Sequence, residues 1–311
     1  MHRTGDPSVL VPEDETVGAP GPGQVRLRQE AIGINFIDTM FRSGAFGAPL
    51  PFVTGVEAAG VVTEVGDNAG GFAIGDRVAY FFAPGAYAEE RLVDTAPLVH
   101  LPDDVPSDMA AGLLTKGVTT WLAVRQLHKV KAGDVVLVQG ATGGVGSLVV
   151  RWAKSLGATV IAVGSGAKIA RIAADADHVL ASDQPDLAGR IRAVVPDGVD
   201  VVYEFVGQAT FPASVRSVRD GGAIFTIGAA SGPPDIDQDA LAARGVTVGH
   251  ASAAAAVKGA LLQQAASEVF DQWRVGIFGE IEVQRYRLAD AAHAHADILA
   301  RRIGPNPILV P

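Results

Sequence analysis

The residues that most clearly indicate a chemical role form a glycine-rich turn, Gly140-Ala141-Thr142-Gly143-Gly144-Val145-Gly146. The turn follows an almost unbroken apolar run at 134–139, which is typical of a strand buried on both faces of a parallel sheet. Apolar residues at 145–156 are spaced for one buried helical stripe, and a second apolar run follows at 159–163. A strand, a tight glycine turn, a helix and another strand form the first unit of a dinucleotide-binding sheet.

The glycines of this turn have different predicted roles. Gly140 lets the chain turn sharply off the strand, and Gly146 lets the helix pack closely on it. Gly143 and Gly144 have no β-carbon, so a phosphate can approach the backbone N–H groups at the positive end of the helix. Because a short glycine motif can also be an ordinary turn, the flanking strands are what make nucleotide binding the favoured interpretation.

The end of the second strand bears on which nucleotide is bound. An NAD site usually has Asp or Glu there, hydrogen-bonded to the ribose 2′-hydroxyl. This segment reads Gly164-Ser165-Gly166-Ala167-Lys168, in which Ser165 can donate a hydrogen bond and Lys168 supplies positive charge. Because the segment contains no carboxylate to repel a 2′-phosphate, it favours NADP(H). The alternative is that Lys168 is an ordinary solvated lysine that opens the next helix.

Composition limits the class of protein. A chain of 311 residues suggests two domains, and 48% hydrophobic with 19% charged residues suits a globule with a well-developed core. The net charge of −9 and the lack of a basic run argue against nucleic-acid and anionic-membrane partners. No apolar stretch suits a membrane span, and residues 1–7 lack a hydrophobic signal core, so we expect a cytoplasmic location.

The texture of the chain changes along its length. Up to about Leu101 it is rich in Gly and Pro with short alternating runs, which predicts a compact β-rich domain. After Lys116 strands and helices alternate, with helical segments predicted at 167–174 and 209–218. Further parallel strands are predicted at 179–181, 200–204, 223–227 and 246–248. A final helix at 288–301 and a strand at 308–310 are expected to return to the first domain.

Seven short motifs spread over nearly the whole chain are together specific to one family. They lie at 33–39, 55–60, 75–78, 85–89, 116–120, 143–146 and 294–301. The Asn-Phe-Ile-Asp segment at 35–38 and the Gly-x-Glu-Ala-Ala-Gly segment at 55–60 are the most diagnostic. On these motifs the chain resembles the zinc-independent quinone oxidoreductase branch of the medium-chain dehydrogenase/reductase superfamily, the group that contains zeta-crystallin.

The resemblance implies an α/β architecture with two domains. A GroES-like β-rich catalytic domain would comprise residues 1–115 and 256–311, and a Rossmann NADP(H)-binding domain with a doubly wound parallel sheet would comprise 116–255. The implied activity is NADPH-dependent reduction of quinones or related conjugated carbonyl compounds without a metal. Reduction of enones or enoyl thioesters is an alternative, as is NADPH binding with weak or incidental catalysis. The resemblance also implies a homodimer formed through edge strands near 224–227 and 246–248.

The resemblance also implies a set of cofactor contacts. Together with Ser165, the residues concerned are Thr119, Gly143, Gly144, Val145, Lys168, Ser182, Gly228 and Arg301. The pyrophosphate would bind at 143–145, and the 2′-phosphate would bind near Lys168 and Arg301. Ser182 stands where relatives have a tyrosine, so this anchor is shorter or lost. Thr119 matches a threonine near the ribose and nicotinamide, and Gly228 matches a backbone position lining the nicotinamide pocket.

Asn35 is the candidate catalytic residue, because it matches the asparagine that family members present beside the nicotinamide. The alternative is a turn residue that bonds its own backbone. Asp38 and Glu57 are predicted to cap or brace local structure. Met40 and Phe46 stand where several relatives have tyrosines near the substrate, although either can be a core residue. No general acid is therefore assigned.

The sequence predicts no catalytic metal. Zinc-dependent relatives have a cysteine near Asn35 and a histidine at the position of Val56, whereas this chain has no cysteine at all. His293 and His295 are two apart on a predicted helix, which places them on different faces, and a catalytic zinc needs three protein ligands. A conjugated acceptor needs no metal, because hydride delivery produces a delocalised anion and the protein mainly supplies proximity and orientation.

Overall fold

The computed structural model describes residues 1–300, 302, 304 and 306–311. The chain divides into two compact units. The first comprises Met1–Thr115, Val257–Phe270 and Glu280–Pro311. The second comprises Lys116–Ala256 and Asp271–Gly279. The segment at the chain's C-terminal end thus belongs to the same unit as its beginning.

Strands and helices have the following bounds. The strands are β1 (Gln24–Gly33), β2 (Glu57–Val65), β3 (Arg77–Tyr80), β4 (Glu90–Asp94), β5 (Leu98–His100), β6 (Val135–Gln139), β7 (Thr159–Gly164), β8 (His178–Ala181), β9 (Val199–Glu204), β10 (Val218–Thr226), β11 (Thr247–His250), β12 (Gln284–Arg287) and β13 (Pro307–Val310). The α-helices are α1 (Phe36–Ser43), α2 (Ser107–Trp121), α3 (Gly144–Ser155), α4 (Leu187–Val194), α5 (Phe211–Ser217), α6 (Gln238–Ala243), α7 (Ala253–Ala256), α8 (Ala260–Arg274) and α9 (Ala291–Leu299). Short 3₁₀ turns lie at Pro7–Val9, Ile169–Ile172 and Leu288–Asp290, and α2 continues into a π-helical segment, Leu122–Leu127.

The first unit is built on a mainly antiparallel sheet with the strand order β12-β13-β1-β2-β3-β5, and β4 also pairs with β1. Along β1, buried Val25 and Leu27 alternate with the more exposed Arg26 and Arg28, because successive side chains of a strand point to opposite faces. The buried side chains join one apolar cluster with residues of β2, β3 and α9. This confirms the predicted GroES-like, β-rich domain.

The second unit contains a parallel sheet with the order β11-β10-β9-β6-β7-β8. β6 is central: β7 and β8 follow on one side of it, and β9, β10 and β11 follow on the other. This is the doubly wound order, in which the direction of strand addition reverses between β6 and β9. Such sheets bind ligands at the carboxyl ends of the strands, at this switch point. The predicted Rossmann fold is confirmed, and the glycine-rich turn lies where that fold binds nucleotides.

Two local predictions need correction. The family resemblance implies edge strands near 224–227 and 246–248, but β10 lies between β9 and β11, so of these two segments only the one forming β11 is at the edge. The helix expected over 167–174 is reduced to the 3₁₀ turn Ile169–Ile172. The chain after this turn contacts β7 instead of continuing as a helix, since the Asp177 carboxylate accepts the Val160 N–H at 2.9 Å. Among the described residues, no helix is both long and apolar enough to cross a bilayer.

Candidate active site

The glycine-rich turn has the close packing that its sequence predicts. Gly140 adopts a φ of +76°, a left-handed conformation that favours glycine and turns the chain off β6. A β-carbon on Gly146 would clash with the carbonyl oxygen of Gly140. The first turn of α3 therefore lies directly against the turn that precedes it.

The N-terminus of α3 is suited to an anion. Its N-cap is Gly143, whose backbone is extended with φ −83° and ψ 169°. Because the cap residue is glycine, no side chain covers the first N–H groups of the helix. Gly143 is exposed, Gly144 and Val145 are half-buried, and the first turn contains no acidic residue. The helix N-terminus therefore keeps its positive character, and a phosphate can reach it.

The strand ends beside this turn bring three predicted cofactor residues together. The Ser182 N–H, just after β8, donates to the Gly164 carbonyl oxygen at 2.8 Å. The Lys168 N–H donates to the Ser165 carbonyl oxygen at 2.9 Å, which closes a turn after β7. A β-carbon on Gly164 would collide with the side chain of Thr142 in the glycine-rich turn. Ser165, Lys168 and Ser182 thus share one corner of the sheet, next to the glycine-rich turn.

The same corner contains a carboxylate that the sequence argument missed. A β-carbon built on Gly166 would lie 3.2 Å from each carboxylate oxygen of Asp183. The segment 164–168 itself contains no carboxylate, as its sequence shows. Asp183 reaches it from the end of the neighbouring parallel strand β8, so the absence of a carboxylate within the segment does not leave the turn free of negative charge. The position of Asp183, two residues after the strand predicted at 179–181, was the available signal, because the carboxyl ends of parallel strands lie together at one end of the sheet.

Glu204, at the carboxyl end of β9, is a second residue that sequence reasoning missed. Its buried Oε1 accepts two backbone N–H groups of the following loop, at 2.9 and 3.0 Å. Its two oxygens also accept the hydroxyls of Thr210 and Ser214, each at 2.8 Å. The predicted residue Gly228 donates its N–H to the Glu204 carbonyl oxygen, and a β-carbon there would lie 2.8 Å from the Phe205 carbonyl oxygen. Glu204 thus braces the loop against which Gly228 packs.

The two remaining cofactor predictions are less informative. Thr119 lies in α2 and is half-buried. Arg301 lies outside the described residues. The structure therefore places Thr119 in the fold without testing either role.

Asn35, in the first unit, begins helix α1 and is 7% exposed. Its backbone N–H donates to Asp38 Oδ2 at 2.7 Å, which caps the helix as predicted for Asp38. Its side-chain Nδ2 donates to Glu57 Oε2 at 2.8 Å. Asn35 is therefore both a helix-start residue and a side chain whose amide is held by a buried carboxylate.

Glu57 is fully buried at the start of β2. Its Oε1 accepts the Thr115 N–H at 2.5 Å, so the carboxylate is held at both oxygens. A β-carbon on Gly33 would overlap Glu57 Oε2 and the Ala111 carbonyl oxygen, so only glycine fits at this close approach. Glu57 braces local structure, as predicted, and it also orients the Asn35 amide.

A buried chain of hydrogen bonds continues from Asp38. The Tyr87 hydroxyl donates to Asp38 Oδ2 at 3.2 Å, and it lies 2.9 Å from His295 Nε2. Arg42 Nε donates to His295 Nδ1 at 3.2 Å. Because Nδ1 accepts, the proton of a neutral imidazole lies on Nε2, and Nε2 donates to the Tyr87 oxygen. Tyr87 and His295 lie in separate sequence motifs, at 85–89 and 294–301, and the motifs alone do not show that these two side chains are in contact.

Burial determines the protonation states in this chain. Burial, with a smaller contribution from Arg42, lowers the pKa of His295 to about 3, so the imidazole is neutral near pH 7. Burial, followed by the neighbouring Asp38, holds the pKa of Tyr87 well above its ordinary value. The network is thus a neutral imidazole and a phenol between Asp38 and Arg42.

The residues that follow Asn35 expose apolar side chains. Phe36 is 51% exposed and Phe46 is 46% exposed, so the alternative of Phe46 as a core residue is wrong. Met40 is half-buried. The Phe41 ring lies 5.8 Å from that of Phe46, within the range of aromatic pairs. This surface suits an apolar, aromatic or conjugated molecule better than a highly charged one.

The donor groups do not match a catalytic zinc. Val56, buried beside Glu57, has no ligand atom in its side chain. Within the described residues, no three or more His, Asp or Glu side chains are grouped so that they could hold a metal ion. No step of the proposed chemistry is therefore assigned to zinc.

Two family models match the chain. Residues 21–103 match the alcohol dehydrogenase GroES-like domain. Residues 144–267 match a model described as zinc-binding dehydrogenase. The two matches fall on the antiparallel and the parallel sheet, respectively.

Individual relatives narrow the family. The chain is 38% identical to a quinone oxidoreductase of Pseudomonas aeruginosa, over 99% of this chain and 97% of that protein. It is 42% identical to a 2-haloacrylate reductase of Burkholderia sp, over 76% of this chain and 74% of that protein. The Escherichia coli quinone oxidoreductase, solved in complex with NADPH, matches with a TM-score of 0.95 and 31% identity, over 100% of this chain and 98% of that one. The chain therefore belongs to the quinone oxidoreductase branch of the medium-chain dehydrogenase/reductase superfamily.

Proposed function

We propose that this chain is an NADPH-dependent oxidoreductase that reduces quinones or related conjugated carbonyl compounds. The observation that carries the proposal is the glycine-rich turn at the carboxyl end of β6, with the N-terminus of α3 accessible to an anion. The quinone oxidoreductases among its relatives support the reaction class. The NADPH complex of the Escherichia coli relative supports the choice of coenzyme.

The proposed coenzyme site uses residues of the second unit. Gly143, Gly144 and Val145 would hold the pyrophosphate through their backbone N–H groups. Ser165, Lys168 and Ser182, which share one corner of the sheet, would hold the 2′-phosphate with Arg301. Thr119 and Gly228 are proposed to line the ribose and nicotinamide part of the site, where Glu204 fixes the loop against which Gly228 packs.

Asn35 is proposed as the residue that contacts the nicotinamide. When bound, NADPH supplies a hydride to the acceptor. The contribution of this chain is to hold the Asn35 amide in one orientation through Glu57 and to offer the exposed apolar side chains of Phe36 and Phe46 to the acceptor. The carbonyl of a quinone is already electron-poor, so orientation suffices and no metal is needed to polarise it.

A second candidate activity is reduction of a conjugated alkene. The 42% identity to a 2-haloacrylate reductase favours it, since that relative is named for an alkene conjugated with a carboxylate. Among conjugated alkenes, the exposed Phe36 and Phe46 favour uncharged ones such as enones. NADPH binding with weak or incidental catalysis is the remaining alternative.

Two further properties belong to the proposal. A homodimer would cover the edge strand β11, whose backbone groups can pair with those of a second copy. A cytoplasmic location also stays a prediction.

The experiment measures oxidation of NADPH through the loss of absorbance of the reduced nicotinamide. A benzoquinone, a simple enone and 2-chloroacrylate serve as acceptors, and reactions without protein serve as controls. We expect turnover with the quinone. Turnover with the enone or haloacrylate alone would support alkene reduction instead. Tight NADPH binding without turnover of any acceptor would contradict the enzymatic proposal and leave the binding protein.

A further inference from the structure

We infer that Asp183 determines how strongly this chain discriminates between NADPH and NADH. The inference rests on the proposed function, because it concerns the 2′ position of the same coenzyme. It rests on one geometric fact, the contact of the Asp183 carboxylate with the turn after β7. At this corner of the sheet, Asp183 opposes a 2′-phosphate and favours a 2′-hydroxyl.

The backbone explains how the carboxylate reaches this turn. β7 and β8 are paired in parallel up to Gly164 and Ala181. The next residue, Ser182, continues the pairing through its N–H bond to the Gly164 carbonyl oxygen at 2.8 Å. Asp183 therefore leaves the sheet beside Gly166, and each carboxylate oxygen would lie 3.2 Å from a β-carbon at that glycine. The absence of a side chain at Gly166 is what leaves room for the carboxylate.

The contact places opposite charges around one turn. Gly166 lies between Ser165 and Lys168, two of the residues proposed to bind the 2′-phosphate. A phosphate bound there would meet the positive charge of Lys168 and also the negative charge of Asp183. A carboxylate at this corner can accept a hydrogen bond from the ribose 2′-hydroxyl of NADH, as in NAD sites in which the acidic residue ends the second strand. In this chain the carboxylate follows β8, the third strand of the parallel sheet in chain order.

The expected size of the effect is modest, because the corner is open to solvent. Asp183 is exposed, and charges near a protein surface interact through a high effective dielectric constant. Removing one unit of repulsion from a phosphate dianion at this range should raise NADPH affinity by about 3- to 10-fold. The gain should shrink at high ionic strength, where exposed charges are screened. NADH carries no 2′-phosphate, so its affinity should stay the same or fall.

The test compares Asp183→Asn with the wild-type protein and with the matched control Asp197→Asn. Asp197 is also exposed and lies in the same unit, but it precedes the amino end of β9, whereas Asp183 follows the carboxyl end of β8. Both variants remove one negative charge, so they change the net charge equally. Dissociation constants for NADPH and NADH are measured by nicotinamide fluorescence at low and high salt. Unchanged circular dichroism and an unchanged thermal unfolding midpoint show that a variant is folded, and Asp183→Ser serves as a second substitution.

We expect the ratio of the NADH to the NADPH dissociation constant to rise by about 3- to 10-fold in Asp183→Asn at low salt, and not in Asp197→Asn. An unchanged ratio, or an equal rise in the control, overturns the inference. That failure is distinct from failure of the proposed function, in which the wild-type protein does not bind NADPH or binds it without reducing any acceptor. When only the inference about Asp183 fails, the wild-type protein still binds and oxidises NADPH.

Discussion

The side-chain amide of Asn35 donates a hydrogen bond to the buried carboxylate of Glu57 at 2.8 Å. The other carboxylate oxygen accepts the Thr115 N–H, so Glu57 cannot rotate without losing a second bond. Because an amide group is planar, fixing Nδ2 also fixes the direction of the Asn35 oxygen. The orientation of the proposed catalytic side chain thus depends on a residue 22 positions away in sequence.

Glu57→Gln tests this positioning role. A neutral amide is a weaker acceptor for the Asn35 and Thr115 N–H groups, so the Asn35 amide should lose its fixed orientation. We expect kcat to fall by about 10- to 100-fold, with little change in the dissociation constant for NADPH. Glu64→Gln, on the same strand but in a partly exposed ion pair with Arg26, is the matched control. Equal kcat losses in the two variants would contradict the role, and Asn35→Ala should reproduce the loss seen with Glu57→Gln.

The glycine-rich turn allows phosphate binding to be separated from folding. In Gly146→Ala the new β-carbon meets the Gly140 carbonyl oxygen, so we expect a stability loss of about 1–3 kcal/mol along with weaker NADPH binding. In Gly143→Ala the nearest atom would be 3.3 Å away, so the fold should tolerate the change. NADPH affinity should still fall by about 10-fold, the equivalent of about 1.4 kcal/mol. Urea unfolding and coenzyme titration provide the two measurements. Wild-type affinity in Gly143→Ala would place the pyrophosphate elsewhere.

Lys168→Ala tests the assignment of the 2′-phosphate. Loss of a cation that contacts a phosphate should weaken NADPH by about 10-fold, since charge-assisted hydrogen bonds are among the strong ones. NADH should be affected far less. Lys129→Ala, at an exposed lysine of the same unit, is the control for net charge. Equal losses for the two coenzymes would refute the role of Lys168.

The buried imidazole of His295 predicts a pH-dependent stability. Burial lowers its native pKa to about 3, whereas an unfolded histidine has a pKa of about 6.5. Between these values the unfolded chain binds a proton that the native state does not, so stability falls as the pH falls below about 6.5. At pH 5 the loss from this one group is roughly 2 kcal/mol. The groups that face the ring are Arg42, which disfavours a second positive charge, and the Tyr87 hydroxyl, which stays protonated.

His295→Gln should remove this slope, because glutamine does not titrate. The measurement is the free energy of unfolding in urea between pH 7.5 and 5 for both proteins. Carboxylates such as Asp134 and Asp297, whose native pKa values are lowered, lose their contribution mainly further into the acid range, so they interfere little. The same pH slope in the variant and the wild-type protein would show that His295 is not the group responsible.

Much of the second unit follows from local sequence. The apolar run before Gly140, the amphipathic segment after Gly143 and the left-handed Gly157 that ends it correspond to β6, α3 and a turn with φ +84°. These features depend on the spacing of residues only a few positions apart, which a sequence displays directly. The same holds for the capping role of Asp38, three residues from Asn35. The family motifs supplied the assignments that spacing alone could not.

The pairing of distant residues was beyond such reasoning. The contact of Asp183 with Gly166 depends on the parallel register of β7 and β8, and the edge position of β11 depends on the order of all strands in the sheet. The Tyr87 hydroxyl and the His295 ring are 208 positions apart, and their contact exists only once α9 has packed on the first sheet. The physical reason is common to these cases. Local periodicity predicts which face of an element is buried, but only the folded chain determines which side chain lies opposite it and which charge reaches a pocket.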